Sequence, residues 1–334
     1  MIVVDADVLG RERTGDETYV MNLLRELPQV APELRFAAVT RRPELVPDGV
    51  EPVELRARSQ ELRMAWSLPR LLRRLGPEVT HFQHALPLGF GGRSVVTLHD
   101  LSFETDPGAM GRIDRLVFRA VVPRAARRAD HLLVVSERTR LDVERVYGID
   151  AAKVTVTPNG VDPAFSPGWG DDGEYLLFVG AIQRRKDPLA ALAAARAVGL
   201  PLVVAGPEKE PALARQLRDG GADLRGYVSK TELADLYRGA AALVLPSRFE
   251  GFGLPVLEAM ACGTPVVAAP EPALREVAGD AAEYAADGDF GAAVRRALEH
   301  ADALSAAGIE RARLFSWAET ARKTADVYRK LLAR

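Results

Sequence analysis

Two successive series of short apolar runs, spaced by helix-length stretches, constrain this chain more than any other feature. In the first half, IVVDA (2–6), RFAAVT (35–40), VTHFQ (79–83), SVVTLHD (94–100), HLLVVS (131–136) and KVTVTP (153–158) read as buried strands. Helical patterns fill the gaps at 17–27, 60–75 and 112–128, with Pro69 and Pro123 expected to kink or divide the last two. Residues 159–174, dense in Gly, Pro and Asp, read as a linker. A second series follows: strands at 175–180, 200–206, 223–228, 241–247 and 264–269, and helices at 188–199, 211–221, 230–240 and 254–262. Strand–helix alternation in both halves predicts an α/β protein of two doubly wound domains facing a cleft, with ligands beyond the carboxyl ends of the strands. The expected divisions are 1–168, 169–314 and an end helix, 315–334, packing back toward the first domain. That helix carries Phe315, Ala318, Ala321, Ala325, Tyr328 and Leu332 at helical spacing.

A length of 334 residues exceeds a usual single core, which agrees with two domains. Net charge is −2, so the molecule as a whole is no nucleic-acid binder. The single cysteine, Cys262, excludes an internal disulfide and suits a reducing compartment. The opening MIVVDADVLG is too short and acidic to be a signal peptide, and no apolar run is long enough to span a membrane. A cytoplasmic enzyme is expected.

The chemistry concentrates in SRFEGFGLPVLEAMACGTP (247–265). Glu250 falls just past a strand's carboxyl end. Gly251 and Gly253 allow backbone conformations and approaches that other residues resist. Pro255 suits a first helical turn. The amides of Phe252, Gly253 and Leu254 then lie at a helix N-terminus, which favours an anion or several hydroxyls. Glu258 falls about one turn into the helix. A carboxylate beside a phosphate makes sense if it grips a neutral part of the same ligand, such as a ribose diol or a sugar hydroxyl, because an ionised carboxylate only accepts hydrogen bonds. A nucleotide diphosphate sugar meets both demands; ordinary capping acids are the simpler alternative.

SRFEGFGLPVLEAMACGTPVV resembles the E-x7-E signature of the retaining glycosyltransferases of family four, which have the GT-B fold. FVGAIQRRKD (178–187), LRGYVSKTELADLYRGAAALVLPS (224–247), VTLHDLSF (96–103), VVSERTR (134–140), TPNGVD (157–162) and the end helix resemble further segments of that family, in the same order. The likeness covers nearly the whole chain and is strongest to the bacterial mannosyltransferase-like branch.

The resemblance implies roles residue by residue. Arg185 and Lys186, beyond a strand ending at Gly180, hold the donor diphosphate and stabilise the leaving group. Some relatives carry an arginine where Ala181 stands, so Arg184 is expected to share the grip. His99 faces the reacting sugar, next to Asp100. Backbone groups at Tyr227 and Val228 bond the nucleobase. Gly15 sits in a partial match to a glycine loop, with Arg13 in place of its first glycine. Asp16 and Thr18 face the acceptor or simply start a helix. His81, His84 and His131 read as structural. Asp5-Ala6-Asp7 and Asp287-Gly288-Asp289 are chance matches to a metal-binding DxD, and neither metal nor cofactor is expected.

The implied reaction is a retaining, metal-free transfer of a hexosyl group, mannose by preference, from a GDP- or UDP-sugar to a saccharide or lipid-linked acceptor in polysaccharide biosynthesis. A nucleotide-sugar epimerase or hydrolase and a non-catalytic sugar-binding module are the alternatives. Two arginine-rich sets, Arg56, Arg58, Arg63, Arg70, Arg73, Arg74 and Arg112, Arg115, Arg119, Arg124, Arg127, Arg128, suit peripheral contact with an anionic membrane at its inner face, or else are solvated helix faces.

Overall fold

Among the described residues every strand pairing is parallel, and the strands fall into two sheets. The computed structural model describes residues 1–11, 14–105, 111–168 and 173–334. The first sheet comprises β1 (Ile2–Asp5), β2 (Phe36–Thr40), β3 (Glu51–Glu54), β4 (Val79–Gln83), β5 (Ser94–Leu98), β6 (His131–Val134) and β7 (Val154–Val156), in the order β3-β2-β1-β4-β5-β6-β7. The second comprises β8 (Tyr175–Val179), β9 (Leu202–Ala205), β10 (Asp223–Gly226), β11 (Ala240–Leu245), β12 (Val266–Ala268) and β13 (Glu283–Tyr284), in the order β10-β9-β8-β11-β12-β13. Both orders reverse once, between β1 and β4 and between β8 and β11. A doubly wound sheet opens a ligand crevice at such a reversal, beyond the strands' carboxyl ends.

The chain divides into two compact units. One contains Met1–Leu101, Arg112–Gly160 and Ser316–Arg334; the other contains Ser102–Gly111 and Val161–Phe315. Within the first, β2 and β5 are buried along their whole length, as a parallel sheet covered on both faces requires. The helix Trp317–Leu332 is capped by Ser316, whose side chain accepts from the Glu319 amide. It packs against the helix Thr14–Val30 and β4 through Thr320, Thr324, Val327, Tyr328 and Leu331. Burying Leu331 or Val327 contributes roughly 1.5–3 kcal/mol each.

The two proline-bearing stretches differ. The helix Arg112–Arg128 runs through Pro123 without division. The stretch 60–75 does divide, into Gln60–Leu62, a π-turn Arg63–Ser67 and Leu68–Leu75, with Pro69 at the start of the last. The strand β3 was not foreseen, because EPVE is an exposed, proline-bearing edge strand without an apolar run.

The expected linker is no loose tether at its start. Asn159 and Asp162 are buried, and a Cβ on Gly160 would lie 2.1 Å from the Trp317 nitrogen. Residues 169–172 of that segment, like Arg13, lie outside the described residues.

Candidate functional site

At the reversal in the second sheet, the chain leaves β8 through Gly180 and forms a short 3-10 turn, Arg184–Lys186. It leaves β11 through Pro246 and the loop that carries Glu250. The Arg248 amide donates to the Arg185 carbonyl at 2.9 Å, tying turn to loop. Lys186 Nζ donates to Glu250 Oε1 at 2.5 Å, and Arg185 Nη1 lies 3.8 Å from Glu250 Oε2 while donating to the Phe249 carbonyl. Burial pushes the Glu250 carboxyl up, but Lys186 and then Arg185 outweigh burial and hold it below the usual carboxylate value. Glu250 is therefore a buried, ionised carboxylate between two cations. Lys186 has three donors, so it can keep Glu250 and still donate to another oxygen.

The helix Leu254–Cys262 begins next. Its N-cap, Gly253, has φ +112°, and a Cβ there would sit 2.7 Å from the Leu274 side chain. Only glycine fits that turn without strain. Pro255 occupies the first helical turn, as expected. The Phe252 side chain is buried, edge-on to Phe315 with ring centroids 5.9 Å apart, so only its backbone can face a ligand. Glu258 is buried and accepts from the Tyr237 hydroxyl at 2.9 Å. Burial raises its pKa to about 7, partly offset by that hydrogen bond and by Lys230. The two glutamates thus differ in charge state: Glu250 is held ionised, whereas Glu258 titrates near neutrality. Tyr227 and Val228 follow the edge strand β10, two strands from β8.

At the reversal in the first sheet, three polar side chains converge. Asp16 lies in the first turn of the helix Thr14–Val30, together with Gly15, whose absent side chain leaves open space. Thr18 lies one turn into that helix, where its carbonyl accepts from Asn22. His84 follows β4 with φ +59°, a left-handed conformation uncommon for histidine. His99 follows β5, with Asp100 next to it. Asp16, His84 and His99 each bring a ligating atom within 4.8 Å of the others. His99 Nε2 is 2.9 Å from Gln83 Oε1, and its ring meets Tyr19 edge-on at 4.8 Å. Burial lowers the His99 pKa to about 4 against the opposing pull of Asp16, so the ring is neutral near pH 7. His84, read from sequence as structural, belongs to this cluster.

His81 and His131 are structural, as expected. His81 bridges Tyr328 Oη and Thr97 Oγ1, each at 2.6 Å, and burial lowers its pKa to about 3. His131 bonds Thr155 at 2.8 Å, and burial lowers its pKa to about 4. Asp5 and Asp7 are committed to arginines. Arg63 is fully buried and grips both Asp5 oxygens, at 2.5 and 3.0 Å, while Arg41 and Arg11 bond Asp7. Arg63 thus leaves the basic surface set in which the sequence placed it. Asp289 caps the helix Phe290–Glu299. Arg184 is exposed and pairs with Glu210 at 3.3 Å, whereas Arg185 and Lys186 lie against Glu250.

The family model for glycosyltransferase family 4 matches residues 13–165, and that for glycosyl transferases group 1 matches 164–313. A D-inositol 3-phosphate glycosyltransferase of Catenulispora acidiphila is 36% identical over 240 residues, covering 60% of this chain and 56% of the relative. The chain therefore spans little more than half the length of that relative. An O-antigen chain mannosyltransferase B of Escherichia coli is 28% identical, with 72% of this chain and 71% of the relative covered. Among solved structures, a sucrose-phosphate synthase from Thermosynechococcus elongatus superposes with a TM-score of 0.80 at 21% identity, over 99% of this chain and 98% of the other. That likeness bears on the fold, which is of the GT-B class.

Proposed function

Since the chain belongs to the glycosyltransferases whose two halves these family models describe, we propose that it transfers a hexosyl group, with retention and without a metal, from a nucleotide diphosphate sugar to a saccharide or lipid-linked hydroxyl. The observation that carries the reading is the Arg185–Lys186–Glu250 cluster beside the N-terminus of the helix Leu254–Cys262, at the reversal of the second sheet. The two cations and the helix amides meet the diphosphate. Charge that builds on the leaving phosphate falls where fixed donors already point. Glu250 accepts from a hydroxyl of the transferred sugar, and Glu258 accepts from the ribose diol. Gly180 leaves room for the close approach of the donor, and the backbone at Tyr227 and Val228 meets the base. Nothing in the cluster is an unencumbered nucleophile, since Glu250 is held by Lys186. Attack on the departing face of the sugar, with the leaving phosphate taking the acceptor's proton, is therefore preferred to a covalent intermediate. His99, Asp16 and Thr18 are assigned to the acceptor side and the reacting sugar. The likeness to the mannosyltransferase supports mannose and hence a GDP-sugar, with a UDP-sugar as the second choice.

The helix Arg112–Arg128 turns Ile113, Leu116, Val117 and Val121 to solvent, with Ile113 81% exposed, and carries exposed Arg119, Arg124, Arg127 and Arg128. This pattern supports peripheral contact with an anionic bilayer, where a lipid-linked acceptor would lie. Retention of the protein in the supernatant with anionic liposomes at low salt would refute that contact.

Incubation with GDP-α-mannose and UDP-α-hexoses, followed by NMR of the anomeric proton, tests the transfer. The expected product keeps the α configuration. An inverted product refutes the mechanism, and conversion of the donor to an epimer identifies the rival enzyme class.

A further inference from the structure

We propose that Asp16, His84 and His99 form a site for one divalent ion of the zinc class, and that an ion bound there switches the acceptor side off. The inhibitory half rests on the role proposed for His99; the binding half does not.

Two imidazoles and a carboxylate are a donor set suited to zinc, cobalt and their neighbours rather than to magnesium. Three such ligands with an open fourth position form a familiar zinc site, in which bonds of about 2.1 Å set the ligand atoms about 3.4 Å apart. Here His84 Nε2 lies 3.9 Å from one Asp16 oxygen, and His99 Nε2 lies 4.0 Å from the other. All three ligand atoms lie within 4.8 Å of one another, so reaching the spacing of a bound ion takes shifts of roughly half to one and a half ångströms. The three residues come from three different segments, the turn after β1 and the loops after β4 and β5. Their convergence follows from strand order and not from local sequence.

The surroundings fit the same reading. His84 holds a left-handed backbone, φ +59°, a strained conformation of a kind that gathers where a site must hold a side chain in place. Among the described residues, His84 Nδ1 and Gln83 Nε2 are buried without a hydrogen-bond partner. On binding, the neutral His99 ring takes its other tautomer: its one proton passes from Nε2 to Nδ1 by way of solvent, with no net release, and Nε2 gives up its bond to Gln83. Gln83 Oε1, 2.9 Å from that nitrogen, is then placed to serve as a further oxygen donor. The bound ion occupies the imidazole assigned to the reacting sugar, so transfer stops. Removing the ion restores it. The ion is thus a regulator and takes no part in the metal-free reaction.

The test is titration of the metal-stripped full chain with Co²⁺, read by visible absorption, followed by displacement with Zn²⁺. One Co²⁺ per chain, with the intense absorption of a low-coordinate site, is expected. The variant His84→Ala should weaken binding at least about 100-fold, more than the loss of an outer partner does. Asp16→Asn, which keeps the side chain's shape, gives a second reading if His84→Ala melts well below wild type. Absence of Co²⁺ absorption in the wild type overturns the proposal. So does unchanged binding in a folded variant of either residue. Because absorption needs no turnover, failure of the glycosyl-transfer reading leaves this result interpretable. In an active preparation, Zn²⁺ should abolish turnover and a chelator should restore it. Full activity at saturating Zn²⁺ would refute the inhibitory half.

Discussion

Replacing Glu258 with Gln should make the protein more stable and less able to hold its nucleotide. Glu258 has a folded-state pKa of about 7, raised chiefly by burial from an ordinary value of 4.5. Below pH 4.5 the carboxyl is protonated in both folded and unfolded chains and has no pH-dependent effect. As pH rises above 4.5, the unfolded chain ionises while the folded one stays neutral, so stability falls until the pH passes about 7. A displacement of about 2.5 pK units at 1.36 kcal/mol each amounts to about 3 kcal/mol lost by pH 8. Glutamine is neutral throughout, and its carbonyl can still accept from the Tyr237 hydroxyl. The variant should therefore match wild type near pH 4 and exceed it by about 3 kcal/mol at pH 8. For a cooperative unit of 150–250 residues this is roughly 6–12 °C in the melting midpoint. Thermal melts of both proteins from pH 4 to pH 8.5 measure the difference. Nucleotide affinity should fall at pH 8, because the stronger charged acceptor for the ribose is gone. A variant that is no more stable than wild type at pH 8, or equally less stable at every pH, would refute the reasoning.

Lys186→Met should lower kcat/KM by about 10²–10³, the usual loss for one transition-state donor, and should destabilise the chain by removing the cation closest to the buried Glu250 carboxylate; steady-state kinetics and melts at pH 7.5 read both. Arg63→Met should destabilise by about 3–5 kcal/mol in urea titration, since it strands the Asp5 carboxylate. Gly253→Ala should destabilise by about 1–3 kcal/mol through its positive φ and its clash with Leu274, and should weaken donor binding in calorimetry.

The legibility of the fold follows from how parallel sheets are buried. Strands such as FAAVT and SVVTL are covered on both faces, so they stand out as apolar runs. EPVE at the edge is exposed and polar, and the sequence offers no such signal for it. Glu250, Arg185 and Lys186 were legible because two short segments carry them at the ends of adjacent strands. Arg63 was not. It sits in a stretch of alternating arginines and apolar residues that reads as a wet helix face, and only the fold shows that it reaches Asp5, 58 residues away. The π-turn Arg63–Ser67 that contains it has no clear sequence mark. His84 was missed for a related reason. Its neighbours Asp16 and His99 are joined to it by the strand order β1-β4-β5, which periodicity alone does not supply. RRK reads as one basic unit, but its members differ in partner: Arg184 pairs with Glu210 at the surface, whereas Arg185 and Lys186 face Glu250.

The most direct measurement is thermal stability of the wild type and Lys186→Met against GDP, UDP, ADP and dTDP at millimolar concentration. Wild type should be stabilised by one base in preference to the rest, by about 2.7 kcal/mol at a hundredfold excess over the dissociation constant, and Lys186→Met should lose most of that gain. No stabilisation of the wild type by any of the four nucleotides would contradict the assignment of a nucleotide diphosphate to Arg185, Lys186, Glu250 and Glu258.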